Sequence, residues 1–472
     1  MGEASVALNR FGLGARGNDS PITDPRRWLL DQLSRYNPRP EVIARLPGTP
    51  ALIAMLREAQ ADRKESKADA AQQPTPESEP ATGKNPRARA GMPGPYKDLR
   101  EEYVAAVGAR TASALGSDTP FAERLVHFWS NHFAISVDKI VTVGLAGAFE
   151  FEAIRPNILG SFGQMLREVE RHPAMLLYLD QAQSIGPGSR LGRRAAQRGR
   201  DRGLNENLAR EILELHTLGV RSGYSQADVT EFARALTGWT VGGLGRLPAL
   251  QGSGDGFTFA EFIHEPGPRT IMGKRYDQPG ARQAQAVLDD LAVHPATARH
   301  IATKLARHFA ADDPPPALVT RLEQAYLRSG GDLPTIYRAL IEAPEPWSET
   351  ATKFRTPWEW TIAALRGTGV IALPGATAAA AFQQLGQAVW KPGSPAGYDD
   401  AAPSWAGPDA LYRRIEVAQR IAARAATVDA RQLSLALFPG AVSDATRTAL
   451  ARAESGQQAL ALLLASPEMM RR

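Results

Sequence analysis

The side chains best suited to chemistry are concentrated between Leu204 and Val241. On a helical wheel, Glu206, Arg210 and Glu214 form one polar stripe at intervals of four residues, and His216 lies on the apolar side of the same segment. Such a stripe is typical of a solvated helix face with ion pairs between successive turns. If both faces of the helix are buried, the same side chains would instead line a polar cavity.

His132 is a second candidate, within the aromatic stretch from Phe121 to Phe133. Its position centres the imidazole in the apolar arc of a helix, where an unpaired polar group costs on the order of 1–3 kcal/mol. The ring therefore needs either a backbone partner or a ligand. We predict that this helix packs against the Leu204–Leu218 helix and brings His132 close to its carboxylates. The candidate catalytic set is His132, Glu206, Arg210 and Glu214.

Metal binding would have to rely on imidazole and carboxylate ligands. The chain contains no cysteine, which excludes disulfides, zinc–thiolate sites and thiol catalysis. Nitrogen and oxygen ligands suit a divalent ion such as Mn, Fe, Zn, Mg or Ca. The candidate ligands are His132, Asp180, Glu211, His216 and His264. His216 and the Glu206 stripe point to different sides of one helix, so they cannot all bind one ion.

The positive charge of the chain is local. Six arginines and one aspartate between Gly186 and Gly203 account for the whole formal net charge of +5. The segment is either a solvated loop or an anion-binding site, with Arg193, Arg194 and Arg198 as candidates. No aromatic residues are interleaved for base stacking, so we expect no specific binding of nucleic acid.

Two further polar groups lie in the C-terminal half. His300, Lys304 and His308 share one helical stripe, and the loop from Trp390 to Trp405 contains Gly397-Tyr-Asp-Asp. The sequence assigns neither group a partner.

The periodicity predicts a mainly α-helical fold, a large multi-helix single domain with one small β-hairpin. We predict a main helical domain over residues 1–345, interrupted by an insertion over 60–95 that is disordered or weakly helical and dispensable for folding. A helical C-terminal lobe, residues 346–472, packs on it. The hairpin is predicted from Phe257–Phe259 and Thr270–Tyr276, with Gly273-Lys274 at the turn.

No apolar run is long enough to span a membrane, and the first residues lack the pattern of a secretory signal. The sequence as written therefore predicts a cytoplasmic protein, with an export signal trimmed from its start as the open alternative.

Several motifs together resemble the bacterial domain-of-unknown-function family 1800 (DUF1800). They are A-L-N-R-F-G-L-G, F-W-S-N-H-F, M-L-L-Y-L-D-Q-A-Q-S, L-N-E-N-L-A-R-E-I-L-E-L-H-T-L-G-V, F-I-H-E-P-G-P-R-T-I-M-G and K-F-R-T-P-W-E-W. Members usually have Asp-Asn at Asp180-Gln181 and often His-Asp at His264-Glu265. The resemblance implies a mainly α-helical protein without an established activity. Many relatives carry export signals, and their genes often neighbour a sulfatase-like family, which makes such a protein an expected partner.

Two interpretations of function follow. We favour an accessory or interaction protein that contains a buried His/Glu/Arg polar site and binds a protein partner through its helical surface. The alternative is a metal-assisted hydrolase or oxidoreductase that uses the histidine and carboxylate ligands.

Overall fold

The computed structural model describes residues 2–17, 19–72, 94–199, 203–244, 250, 254–351, 353–425 and 427–472. The fold is mainly α-helical, as the periodicity predicts. The α-helices are Glu3–Val6, Pro25–Arg35, Glu41–Ala44, Thr49–Gln72, Lys97–Gly116, Pro120–His132, Leu145–Ala148, Phe162–Arg171, Pro173–Tyr178, Arg190–Ala196, Asn207–Glu211, Gln226–Leu236, Ala281–Ala292, Pro295–Phe309, Pro316–Ser329, Leu333–Glu342, Pro357–Gly367, Gly375–Gln384, Pro408–Arg424, Ala430–Leu437, Asp444–Ala451, Gly456–Leu464 and Pro467–Met470.

Shorter helical segments connect or extend these helices. Segments of π-helix lie at Ala7–Phe11, Phe149–Ile154 and Ile212–His216. Turns of 3-10 helix lie at Gly94–Tyr96, Ile140–Thr142, Arg155–Asn157, Gln181–Gln183, Glu261–Ile263, Glu345–Trp347 and Ala402–Ser404.

Four short strands form two separate antiparallel pairs. Arg269–Ile271 pairs with Lys274–Tyr276 across the turn at Met272 and Gly273, which confirms the hairpin predicted there. Phe257–Phe259 does not join it, and that part of the prediction is wrong. This strand pairs with Trp239–Val241, where the buried Trp239 packs edge-to-face on Phe257 at 5.3 Å between ring centroids.

The buried apolar residues form a large main core and a second core near the C-terminus. The helix Pro357–Gly367 lies between them and is buried on all sides. Its Trp358 belongs to the main core and its Trp360 to the second. The helix therefore joins the two parts that the sequence divides at residue 345, and that division stays a prediction.

The predicted insertion over 60–95 begins inside a helix. Thr49–Gln72 continues through its first residues, with Leu56 and Ala59 buried and residues 61–66 exposed. Residues 73–93 lie outside the described part of the chain. Within the described residues, no helix is long and apolar enough to cross a membrane.

Candidate functional site

A cavity of about 430 Å³ lies where three helices meet one loop. Its walls come from Pro120–His132, from Pro295–Phe309, from the start of Pro357–Gly367 and from residues 387–400. This volume falls within the range of pockets that hold small molecules. Polar and ionisable side chains contribute to the walls, namely Arg110, His127, His132, His300, Lys304, Arg307, His308, Glu359, Asp399 and Asp400.

The helix Pro295–Phe309 supplies one whole wall. It begins at His294, whose Nδ1 accepts the amide proton of Ala296 at 3.1 Å, and Pro295 occupies the first helical position. Its apolar residues face the core. A stripe beside that face, His300, Lys304 and His308, recurs every four residues and lines the cavity.

His308 forms a dyad with Asp400 from the loop. The His308 Nδ1 lies 2.9 Å from the Asp400 Oδ2. Burial alone raises the pKa of Asp400, but His308 and Lys353 bring that pKa to about 2. An ionised carboxylate only accepts, so Nδ1 donates and Nε2 of the neutral ring carries a lone pair. Burial lowers the pKa of His308, which keeps the imidazole in this basic form at neutral pH.

Glu359 lies on the other side of the same imidazole. Its Oε1 is 3.9 Å from the His308 Nε2, which has no hydrogen-bond partner among the described residues. Thr356 and Glu359 form a capping box at the start of their helix, which fixes the carboxylate. Buried Arg124 and Arg472 both donate to it. Burial raises the pKa of Glu359, but the two guanidinium groups bring it well below its ordinary value. An imidazolium formed by protonation of Nε2 would therefore lie between the Asp400 and Glu359 carboxylates.

Lys304 brings a positive charge to the cavity wall. Among the described residues, no carboxylate oxygen lies within 4.0 Å of its ammonium group, the limit for an ion pair. Lys353, by contrast, pairs with Asp312 at 2.6 Å. Burial lowers the pKa of Lys304 to about 8, although the charge of Asp400 opposes the shift. At neutral pH the ammonium group is thus charged, partly dehydrated and without a counter-ion.

His132 and His300 meet the end of the Ile212–His216 segment. Their Nε2 atoms lie 3.1 Å from the carbonyl oxygens of His216 and Leu215 respectively. The last carbonyls of a helix have no partner within it, so both rings satisfy them as donors. Each neutral ring then has its lone pair at Nδ1. The predicted helix contact exists, but it runs through the backbone rather than through carboxylates.

His216 itself pairs with Glu170, which is not among the residues predicted from the sequence. Its Nδ1 lies 2.7 Å from the Glu170 Oε1, and both side chains are completely buried. The polar helix Phe162–Arg171 gives no local signal for this pairing, because Glu170 is 46 residues away in sequence. His216 therefore lies behind the cavity wall, with its carbonyl bound to His132.

The loop of residues 396–400 is fixed by Asn131. The Asn131 side chain accepts the amide proton of Tyr398 and donates to its carbonyl oxygen, both at 2.8 Å. Gly397 has φ of +83°, and a Cβ atom there would lie 2.3 Å from the Asn131 carbonyl oxygen. Only glycine fits this close approach, which holds Asp400 opposite His308.

The predicted carboxylate stripe lies elsewhere. Glu206 accepts from Thr230 at 2.6 Å, from Gln226 at 2.8 Å and from Arg210 at 3.0 Å. These bonds, with Thr230 contributing most, lower the pKa of Glu206. The Glu206–Arg210 pair is half-exposed and connects two neighbouring helices. Glu214 is half-buried, and neither glutamate is among the residues that line the cavity.

The candidate metal ligands are spread over the molecule. Asp180 pairs with Lys139 at 2.6 Å, and the His264 Nδ1 lies 2.7 Å from the carbonyl oxygen of Thr237. Glu211 is half-buried, and burial raises its pKa. Across the described ranges, no group of three or more His, Asp or Glu side chains is arranged to hold a metal ion.

The arginine-rich segment is not wholly a loop, because Arg190–Ala196 forms a helix capped by Ser189. Arg193, Arg194 and Arg198 are exposed on its surface. They lie outside the cavity, and their role in anion binding stays a prediction.

Comparison with known proteins identifies the family of this chain. The model of a family described as "Protein of unknown function (DUF1800)" matches residues 6–471, nearly the whole chain. No curated protein and no solved structure matches the chain.

Proposed function

Because this chain belongs to the DUF1800 family, which has no assigned activity, we propose its function from the cavity: an enzyme that binds a small anion and catalyses proton transfer from that anion or from water. The observation that carries the proposal is the pairing of an uncompensated Lys304 with the His308–Asp400 dyad, one helical turn apart on one cavity wall.

Lys304 binds the anion in this proposal. A partly dehydrated ammonium group without a counter-ion gains most when a ligand supplies the negative charge. The partly open cavity still strengthens that attraction relative to bulk solvent, because fewer water molecules screen it.

His308 is the general base. Its Nε2 takes the proton, while Asp400 holds the tautomer and stabilises the imidazolium that forms. Glu359, at 3.9 Å, already shares its charge with Arg124 and Arg472 and adds little to this stabilisation. The described residues place no hydroxyl group at hydrogen-bond distance from Nε2, so the proton comes from the substrate or from water rather than from a side-chain nucleophile.

This proposal departs from both interpretations made from the sequence. It keeps the enzyme but requires no metal, since the candidate ligands are not assembled within the described part of the chain. The proposed residues are His308, Asp400 and Lys304, in place of the predicted catalytic set of His132, Glu206, Arg210 and Glu214. An accessory role with a sulfatase-like partner stays a prediction, because no observation on the described surface favours it.

The test separates binding from catalysis. Calorimetry at pH 7 with phosphate, sulfate, acetate and lactate should detect binding to the wild-type protein and at least a tenfold loss in Lys304→Met. The matched control is Lys97→Met, whose ammonium is exposed and pairs with Glu101 at 3.7 Å. On a panel of anionic p-nitrophenyl esters and phosphate monoesters, His308→Gln should lose turnover but retain anion binding. Wild-type protein that binds none of the four anions would contradict the proposal.

A further inference from the structure

The imidazole of His132 is committed to a single neutral tautomer. Its Nε2 donates to the carbonyl oxygen of His216 at 3.1 Å, so Nδ1 holds the lone pair. The ring is 1% exposed and fixed by the neighbouring aromatic rings, with Phe133 edge-to-face at 4.5 Å and Trp129 at 5.3 Å between centroids. Neither ring donates to Nδ1, because phenylalanine has no polar hydrogen and the Trp129 Nε1 donates to the Tyr337 hydroxyl.

The Nδ1 atom of His132 is left without a partner. It is buried, and none of the described groups donates a hydrogen bond to it. A buried acceptor without a donor costs on the order of 1–3 kcal/mol. His132 is also one of the residues that line the cavity with Lys304. A ligand in the cavity is therefore the available source of a donor, once the side chains that cover Nδ1 make room for it.

Protonation of His132 does not remove this requirement. Burial lowers the pKa of His132 well below its ordinary value, and the charge of Lys304 lowers it further. The ring therefore stays neutral at physiological pH, and Nδ1 remains an acceptor rather than becoming a donor.

We propose that the ligand is a hydroxylated anion, with its charged group at Lys304 and a hydroxyl donating to the Nδ1 of His132. This inference rests on the proposed function and narrows its substrate class. Hydroxy acids and phosphorylated polyols share this chemistry, while simple carboxylates and alkyl phosphates lack the donor. A site with a buried acceptor rejects the analogue that leaves the acceptor unpaired.

His300 offers an internal comparison. It makes the same kind of bond, from Nε2 to the carbonyl oxygen of Leu215. Its Nδ1, however, faces Gly219, where a Cβ atom would lie 3.0 Å away. His300→Gln makes the same change at an equivalent helix-end contact without removing the acceptor assigned to His132.

The experiment measures affinity for matched pairs by calorimetry, namely lactate against propionate and glycerol 3-phosphate against propyl phosphate. We expect the hydroxylated member of at least one pair to bind at least tenfold more tightly, and the pair that shows it identifies the charged group. In His132→Gln the amide can still donate to the His216 carbonyl, but the Nδ1 acceptor is gone. The preference should then fall to about twofold or less, whereas His300→Gln should keep it.

The outcomes separate the two proposals. Equal affinities within both pairs for the wild-type protein would overturn the hydroxyl assignment and leave anion binding intact. The absence of binding by any of the four compounds would overturn the proposed function, and this inference with it. A loss of affinity in His132→Gln that is equal for both members of a pair would show that His132 only supports the helix end.

Discussion

Arg472 binds both oxygens of the Glu359 carboxylate, with Nη2 2.8 Å from Oε1 and Nε 3.1 Å from Oε2. Arg124 donates to the Oε1 of the same carboxylate, and all three side chains are buried. One negative charge thus compensates two cations in part, next to the proposed general base.

We expect Glu359→Gln to lower the free energy of unfolding by about 3–5 kcal/mol, because two buried guanidinium groups lose their counter-charge. Urea denaturation measures the change. Glu206→Gln is the matched control, since its carboxylate is half-exposed and should change stability by less than about 1 kcal/mol. Equal effects of the two substitutions would show that the buried Glu359 carboxylate contributes no more to the free energy of unfolding than a half-exposed one.

Lys304→Met should stabilise the ligand-free protein while it abolishes anion binding. The pKa of Lys304 is lowered to about 8, so the unfolded chain holds this proton more tightly than the folded protein does. Wild-type stability should therefore rise as pH increases from about 8 to 10.5, by an amount on the order of 2 kcal/mol because the cavity retains some hydration.

Chemical denaturation at pH 7.5 and pH 10 checks this expectation. Lys304→Met should be more stable than the wild-type protein at pH 7.5 and should lose part of the rise towards pH 10. Lys97→Met should behave like the wild-type protein. A less stable Lys304→Met with an unchanged pH dependence would mean that Lys304 contributes to stability through packing.

The histidines should make the fold sensitive to mild acid. Burial lowers the pKa of each of His127, His132, His300 and His308, in the case of His300 to about 4. Below pH 6.5 the unfolded chain takes up protons that the folded rings refuse, so stability falls as pH decreases. Each ring contributes a slope of up to about 1.4 kcal/mol per pH unit.

Thermal denaturation between pH 7.5 and pH 5.0 isolates this effect, because carboxylates with lowered pKa values act only below about pH 4.5. His300→Gln should reduce the slope of stability against pH. A slope identical to that of the wild-type protein would show that the pKa of His300 is the same in the folded and the unfolded chain.

The exposed arginines should matter little. Replacement of Arg193, Arg194 and Arg198 by alanine should change stability by less than about 0.5 kcal/mol, since surface positions contribute little. Any binding of DNA by the wild-type protein should be weak. Its affinity should fall steeply between about 50 and 200 mM salt, as the affinity of non-specific phosphate contacts does. Sequence-dependent binding that resists salt would contradict the expectation.

Local features were accessible from the sequence. The pattern Ser225-Gln-Ala-Asp228 is typical of a capping box, which the structure contains, and Gly219 follows the Ile212–His216 segment with φ of +91°. The stripe of His300, Lys304 and His308 was visible as well, because its spacing of four residues depends only on helical periodicity.

The partners of that stripe were not accessible. Asp400 lies 92 residues beyond His308, and no periodicity connects a loop to a helix at that separation. The Ile212–His216 segment is a π-helix, which alters the positions of residues on the wheel drawn for a regular α-helix. The residues of the carboxylate stripe lie close together in sequence, whereas the residues that line the cavity are widely separated in sequence.

The wide sequence separation of the cavity residues affects the order of folding. Glu359 contacts Arg124, which is 235 positions away in sequence, and Arg472, which is 113 positions away. His308 contacts Asp400 only once the loop that contains Asp400 is in place. Contacts that close such long loops form slowly, because chain entropy must be lost before they stabilise anything. During refolding, helical circular dichroism should therefore recover first, and the ability to bind anions should return in a later, slower phase.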